Sequence, residues 1–276
     1  MYPNGGIGTG GCRETASGVY CLEAGKGIMR SNVYFVQSGT SWVLVDTASA
    51  NCGPLIKKAA ESLFGAGARP ASILLTHDHP DHAGSAVELA RMWRCRVYVH
   101  PDEMPLAAHG DLATLRKYAN PLDRWMVLPL LRVMPRRRVE AMLSKSSLKD
   151  VVQELDPTAL PGLADWQCVP TPGHTPGHVA LFRGSDGVLI TGDALVTVNL
   201  NSFLGVLRWS LRSNKERVSG PPWYSTWNKR MAQESVAALA ALQPRVVAPG
   251  HGAPVAGARA ARPLRVLADR FVAPHR

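Results

Sequence analysis

Residues 76–82 read Thr-His-Asp-His-Pro-Asp-His. Imidazoles and carboxylates at such short offsets are what a protein uses to hold a divalent cation, because neutral ring nitrogens and ionised carboxylate oxygens both donate well to borderline metals. Nine histidines occur among 276 residues, so three at these offsets would arise by chance in about one such chain in a hundred. His77 and His79, two apart on an extended loop, can converge on one ion. Asp81 and His82 are offset from them and can reach a second. Each ion still needs ligands, and three further residues in turn-like contexts can supply them. His174 sits in Thr-Pro-Gly-His-Thr-Pro-Gly-His, Asp193 in Thr-Gly-Asp, and His251 in Pro-Gly-His-Gly. Gly and Pro let the backbone turn sharply there and present the next side chain beyond a strand end. Any one of the three alone reads as a turn residue; together with the first motif they read as a metal site.

Two cations would permit hydrolysis at neutral pH without a serine or cysteine nucleophile. A bound cation can lower the pKa of water from about 15.7 to about 7, worth roughly 12 kcal/mol in favour of hydroxide. The expectation is a hydroxide held between the metals, with one ion polarising the scissile carbonyl. Asp81 is the candidate catalytic proton carrier, although a carboxylate tied to a cation is a weak base.

These side chains need a scaffold that ends several strands at one edge. Short β-branched and aromatic runs at 18–22, 32–37 and 42–46 read as antiparallel strands, the last two joined by a turn at Gly39 and Thr40. A helix over 54–64, ended by Gly65 and Gly67, a strand at 72–76, a helix at 85–93 and a strand at 96–99 follow. The second half repeats the rhythm, with strands at 167–171, 178–182 and 188–191, a helix at 229–242 and a strand at 245–248. Each half is a strand-rich sheet covered by helices, which predicts a four-layered α/β sandwich with polar loops along one edge. Residues 102–161 are rich in Leu, Met, Arg and Pro, with helical patches at 112–119 and 139–144, and read as a helical cap inserted into a single domain spanning 1–276. Residues 196–227 read as a long irregular stretch whose Phe203, Trp209, Trp223, Tyr224 and Trp227 wall a pocket.

With these motifs in this order, the chain resembles the metallo-β-lactamase superfamily over nearly its whole length. The resemblance implies a four-layered αββα sandwich. It further implies that His77, His79 and His174 bind one metal, that Asp81, His82 and His251 bind a second, and that Asp193 bridges the two. Asp46, in Val-Asp-Thr, would support the metal loop by hydrogen bonding. His178 completes the pattern Gly-His-x-x-Gly-His, yet lies too near His174 in the same strand to serve as another ligand, and reads as a buried hydrogen-bonded support. His100, His109 and His275 belong to no motif and read as ordinary polar residues.

Departures within the family narrow the activity. Classical β-lactamases place Cys or Ser where this chain has Asp193. Acyl-homoserine lactonases often carry a tyrosine where it has Val196. Glyoxalase II continues into a long helical part, whereas about 25 residues follow His251 here. The expectation is a hydrolase of a small ester, lactone or thioester in the lactonase and glyoxalase II-like branch, with two divalent ions, zinc first and iron or manganese as alternatives. Three other readings stay open: a mononuclear iron persulfide dioxygenase, a phosphodiesterase or nuclease of the same superfamily, and a binding module without turnover.

Composition limits the remaining classes. At 46% hydrophobic and 19% charged, the chain has ample material for a core. The polar, Gly-rich stretch 1–11 reads as a loose leader rather than a secretory signal. The apolar run 125–131 is far shorter than the roughly 20 residues a bilayer span needs. Five scattered cysteines form no Cys-x-x-Cys pair and fit reduced thiols in a cytoplasmic protein. The formal charge of +10 is concentrated at 132–138 and 259–276, runs that read as solvated faces. A small-molecule substrate is therefore expected, with no nucleic acid and no membrane span; the oligomeric state is open, a homodimer among the options.

Overall fold

The computed structural model describes residues 11–109, 111–213 and 216–272; residues 1–10 of the leader expected at 1–11, and His275, lie outside them. One sheet has seven strands in sequence order: β1 (Arg13–Ala16), β2 (Val19–Ala24), β3 (Ser31–Ser38), β4 (Ser41–Val45), β5 (Ser72–Leu74), β6 (Val97–Val99) and β7 (Val152–Glu154). The hairpins make β1 to β4 antiparallel, and helical crossovers then make β4 to β7 parallel. Between β4 and β6 run α1 (Gly53–Phe64), the single turn α2 (Pro80–Ala83) and α3 (Ala86–Trp93). The other sheet comprises β8 (Gln167–Pro170), β9 (Val179–Arg183), β10 (Val188–Gly192), β11 (Val246–Pro249) and β12 (Val255–Ala256), ordered β12-β11-β10-β9-β8 with β10 and β11 parallel.

Strand alternation sorts the core into three layers. On β3, Tyr34 and Val36 face the second sheet and meet Ile190 and Val188 of β10, with Leu155, Leu163 and Trp166 filling the gap. Val33 and Phe35 face the opposite way, onto Ile56 and Ala59 of α1 and Leu89 and Trp93 of α3. On the far side, Leu189 and Val247 pack under Val236 and Leu239 of α8 (Lys229–Ala241) and Leu264 of α9 (Ala258–Val272). Helix, sheet, sheet, helix: the chain is the αββα sandwich.

Three regions differ from the sequence reading. The segment between β6 and β7 is helical, with π-type turns at Pro105–His109 and Asp123–Val127 and helices α4 (Leu112–Lys117), α5 (Leu128–Val133) and α6 (Arg136–Ser146). The expected cap at 102–161 overran this, because Val152–Glu154 is β7 and Leu155 and Leu160 are core; β7 reads Val-Gln-Glu, whose one apolar residue gives no strand signal. Residues 196–227 are not wholly irregular, since α7 (Phe203–Ser210) starts at Ser202, whose hydroxyl accepts from the Gly205 N–H. The basic run from Arg259 is α9, with Ala260, Leu264 and Ala268 on its buried face and its arginines in solvent. The high arginine content hid the period. All five cysteines are free, and among the described residues no helix is long and apolar enough to cross a membrane.

Candidate metal centre

Every residue singled out for metal chemistry lies just beyond the carboxyl end of a strand. Asp46 follows β4, residues 76–82 follow β5, and Asp193 and His251 follow the parallel pair β10 and β11. Parallel strands end together, so this is where an open α/β sheet gathers polar loops. At this edge the Val179 N–H bonds across the two sheets to the Thr76 carbonyl at 2.9 Å, and the Gly250 N–H ties the ends of β10 and β11 together at the Gly192 carbonyl, 2.7 Å. Asn32 adds a backbone bond to Gly250 and side-chain bonds to the Pro249 and Gly252 carbonyls. Within the first loop, His79 is extended (φ −80°, ψ 149°) and Pro80 opens α2, where proline's fixed φ is already helical. Gly250 is required by space, since a Cβ there would lie 2.3 Å from Asp193 Oδ1.

The structure brings all seven predicted side chains together. One atom each from His77, His79 and His174 lie within 4.8 Å of one another, and the same holds for His77, His82 and Asp193 and for Asp81, His82 and His251. The His77, His79 and His174 rings are 4.6–4.9 Å apart between centroids. His251 Nε2 is 3.3 Å from both Asp81 Oδ2 and Asp193 Oδ2, and His82 Nε2 is 3.4 Å from Asp193 Oδ1.

The outer partners of the rings determine which nitrogen faces inward. The Thr76 hydroxyl gives its single proton to the Asp46 carboxylate, at 2.9 Å, so its oxygen accepts from His77 Nδ1 at 3.0 Å. Likewise the Thr226 hydroxyl donates to the Pro222 carbonyl at 2.7 Å and accepts from His174 Nδ1 at 3.3 Å. His82 Nδ1 donates to Asp46 Oδ2 at 2.8 Å and His251 Nδ1 to the Arg30 carbonyl at 2.6 Å. In all four Nδ1 carries a proton and Nε2 is turned toward the common centre, as a bare lone pair in His77 and His174. His77 Nε2, His174 Nε2 and Asp193 Oδ1 are buried with no hydrogen-bond partner. Buried polar atoms are normally satisfied, and three orphans converging with lone pairs fit a cation.

Electrostatics divides the cluster in two. Burial holds His77 and His174 well below the ordinary histidine range, and His79 below it, so these rings are neutral donors. Burial also opposes protonation of His82 and His251, but Asp193 with Asp46, and Asp193 with Asp81, outweigh it; His82 is held well above its usual range and His251 is pushed up to about 10. Conversely, although burial disfavours their charge, Asp81 and Asp193 are held below the carboxylate range by these imidazoles. This half of the centre is built to balance negative charge with positive, the balance a bound cation provides.

Supporting residues follow the same logic. Asp46, in a left-handed conformation (φ 61°) that aspartate tolerates, also accepts from the Thr76 N–H at 2.8 Å. His178 Nε2 accepts from the Asp193 N–H at 3.0 Å while Nδ1 bonds the Thr171 hydroxyl at 2.7 Å; with both nitrogens engaged and burial holding it down to about 3, it orients Asp193. Arg30 is 2% exposed, lies 4.0 Å over the Trp209 ring and donates to the Trp209 carbonyl, so α7 leans on the residue that holds His251. Of the expected pocket aromatics, Phe203 is 86% exposed and Trp223 58%, whereas Trp209 is core and Tyr224 is half-buried. Burial, with Asp193 and Asp81 nearby, pushes the Tyr224 phenol up to about 12. Thr76, Thr171, Thr226, Arg30 and Glu103 were not read from the sequence, since single Thr, Arg or Glu residues carry no signal without their partners.

The profile of the Metallo-beta-lactamase superfamily matches residues 27–251, which include all seven side chains. Among curated proteins, the chain is 34% identical over 263 residues to "Probable metallo-hydrolase YflN" of Bacillus subtilis (strain 168), covering 94% of this chain and 92% of that one. Among solved structures it is similar to the metallo-beta-lactamase family protein TTHA1429 of Thermus thermophilus, with a TM-score of 0.62 at 23% identity over 93% of this chain and 80% of that one. It is similar too to TTHA1623 in a di-iron-bound form, with a TM-score of 0.52 at 26% identity over 88% of this chain and 98% of that one. The breadth of the profile match, with a relative at 34% identity over nearly the full chain, shows that this protein belongs to the metallo-β-lactamase superfamily, among its metallo-hydrolases.

Proposed function

We propose that this protein holds two divalent cations and hydrolyses a small ester, lactone or thioester. The observation that carries the reading is the set of four Nε2 atoms, each turned inward by a partner on Nδ1, gathered around the buried Asp193 carboxylate. His77, His79 and His174 are assigned to one cation, Asp81, His82 and His251 to the other, and Asp193 to both. When bound, such cations supply Lewis acidity, lowering the pKa of water and polarising a carbonyl. The protein's own residues do the rest. Asp46 and His178 hold the first loop and Asp193 in register. Asp81 is only partly buried, 17% exposed at its side chain, so a carboxylate oxygen can reach solvent or substrate, and we assign it the proton-carrying role at Oδ. Tyr224 keeps its proton at neutral pH and can donate a hydrogen bond to a substrate carbonyl.

The chain reads as one catalytic domain whose helical segment between β6 and β7 covers the centre. Tyr118, immediately after α4, meets Trp227 edge to face at 5.7 Å, and the Trp227 N–H bonds to the His174 carbonyl at 3.1 Å. Zinc is the assigned metal. A donor set of nitrogen and oxygen without thiolate also accommodates iron or manganese, and the di-iron form of TTHA1623 keeps iron in view. The five free thiols fit a reducing cytoplasm.

The test is metal analysis paired with a panel of lactones, thioesters, phosphodiesters and β-lactams. Two zinc ions per chain with turnover of a lactone or thioester is the expected result. One iron per chain, with oxygen consumed in the presence of glutathione persulfide, would overturn the reading.

A further inference from the structure

A buried carboxylate outside the seven ties the centre together. Glu103 closes the 3₁₀ turn Pro101–Glu103 after β6 and is 0% exposed. Its Oε1 accepts from the Asp78 N–H at 2.9 Å; its Oε2 accepts from the Thr175 hydroxyl at 2.9 Å and the Gly177 N–H at 2.8 Å. Asp78 stands between His77 and His79, and Thr175 follows His174. One side chain, from a third segment of the chain, therefore bridges both loops that bring the three imidazoles together.

Ordinary packing does not account for this choice. A carboxylate without a Lys or Arg partner is costly to bury, and all three groups bonded to Glu103 are neutral donors. What a carboxylate alone offers is acceptor capacity at both ends, so that it satisfies donors on two separate loops at once. The fit is also rigid: a Cβ on Gly177 would lie 2.3 Å from the Glu103 N, so the His174 loop and the 101–103 turn meet backbone to backbone. The helical segment over the centre starts immediately afterwards, at Pro105–His109.

We propose that Glu103 is a positioning residue for the metal centre. Its carboxylate sets the spacing between the His77–His79 loop and His174, and thereby the affinity of the three-imidazole site. It links that spacing to the helical segment covering the centre. This rests on the assignment of His77, His79 and His174 to one cation, and the experiment separates the two claims.

Glu103→Gln is the informative variant. An amide keeps one acceptor oxygen and replaces the other with an NH₂ group; whichever way it is turned, one backbone N–H, of Asp78 or of Gly177, loses its acceptor. The protein is stripped by chelation and titrated with Zn²⁺ against a competing chelator, and with Co²⁺ to record its ligand-field spectrum. Three comparators are run alongside: wild type; His77→Ala; and Ser72→Ala, which removes a part-buried hydroxyl bond to the Pro161 carbonyl at 2.8 Å, remote from the ligands. The expected result is a folded Glu103→Gln protein with Kd for one cation raised about tenfold and a changed cobalt spectrum. Ser72→Ala should move only the melting temperature. If Glu103→Gln does not fold, Thr175→Val deletes one of the three bonds and should weaken the same site a few-fold. Wild-type affinity and spectrum in Glu103→Gln, or in Thr175→Val where the former does not fold, overturn the proposal. An unchanged cation count in His77→Ala overturns instead the ligand assignment beneath it.

Discussion

The loops under the metal centre and the segments over it are built to different standards. Below, Asp46, Thr76, His178 and Asn32 are buried, and each makes two or more hydrogen bonds that leave the loops one arrangement. Above, the helical segment and α7 expose Trp125 (82%), Met126 (65%), Val133 (80%) and Phe203 (86%). Buried polar networks rigidify because an unmet partner is expensive; exposed apolar surface carries no such penalty for a change of shape. The difference teaches that the candidate metal ligands are held by over-determined strand ends, while the segments around them can vary with little cost to the centre.

The harshest way to break that contrast is Asp193→Ala. It should remove one of two cations and lower turnover roughly 10³-fold, equivalent to about 4 kcal/mol, read by metal analysis and kcat/KM on the best substrate. A doubly loaded, active variant would mean the centre does not depend on the residue all its contacts point to. Next comes Asp46→Asn, whose single amide oxygen cannot accept from both the Thr76 N–H and His82 Nδ1. Competitive zinc titration should show affinity reduced about 10- to 100-fold. Wild-type affinity would show that the floor is less interdependent than its hydrogen bonds imply.

Above the centre the effects should shrink. Tyr224→Phe removes one hydroxyl near Asp193 and Asp81; turnover should fall about tenfold while the cation count and melting temperature hold. A loss as large as that of Asp193→Ala would erase the contrast by making the cover as indispensable as the floor. Trp125→Ala should be nearly silent, within about 0.5 kcal/mol in denaturant unfolding. A larger change would show that the helical segment packs more tightly than its exposure indicates.

Much of the centre was legible because its information is local. His77, His79, Asp81 and His82 fall within six consecutive residues, and the Gly and Pro around His174, Asp193 and His251 announce turns whatever the fold. The long periodic elements were equally readable: α1, α3, α8 and the central strands carry their apolar spacing in the chain itself. Elements whose signal was short or masked did not show. β7 reads Val-Gln-Glu, with a single apolar residue, and α9 buries Ala260, Leu264 and Ala268 beneath a surface of arginines.

The amino-acid order by itself determined which side chains could ligate metals and which strands would carry them, because ligand chemistry and strand or helix periods are properties of neighbouring residues. Only the tertiary structure decided that Thr76 and Thr226 turn His77 and His174 inward, that Tyr224 approaches the two carboxylates, and that Glu103 ties two loops. Those residues act through partners 25 to 74 positions away wherever they join separate loops, as Glu103 does with Asp78 and Gly177. A contact of that kind has no period or offset to read; it exists once the two sheets have closed on each other.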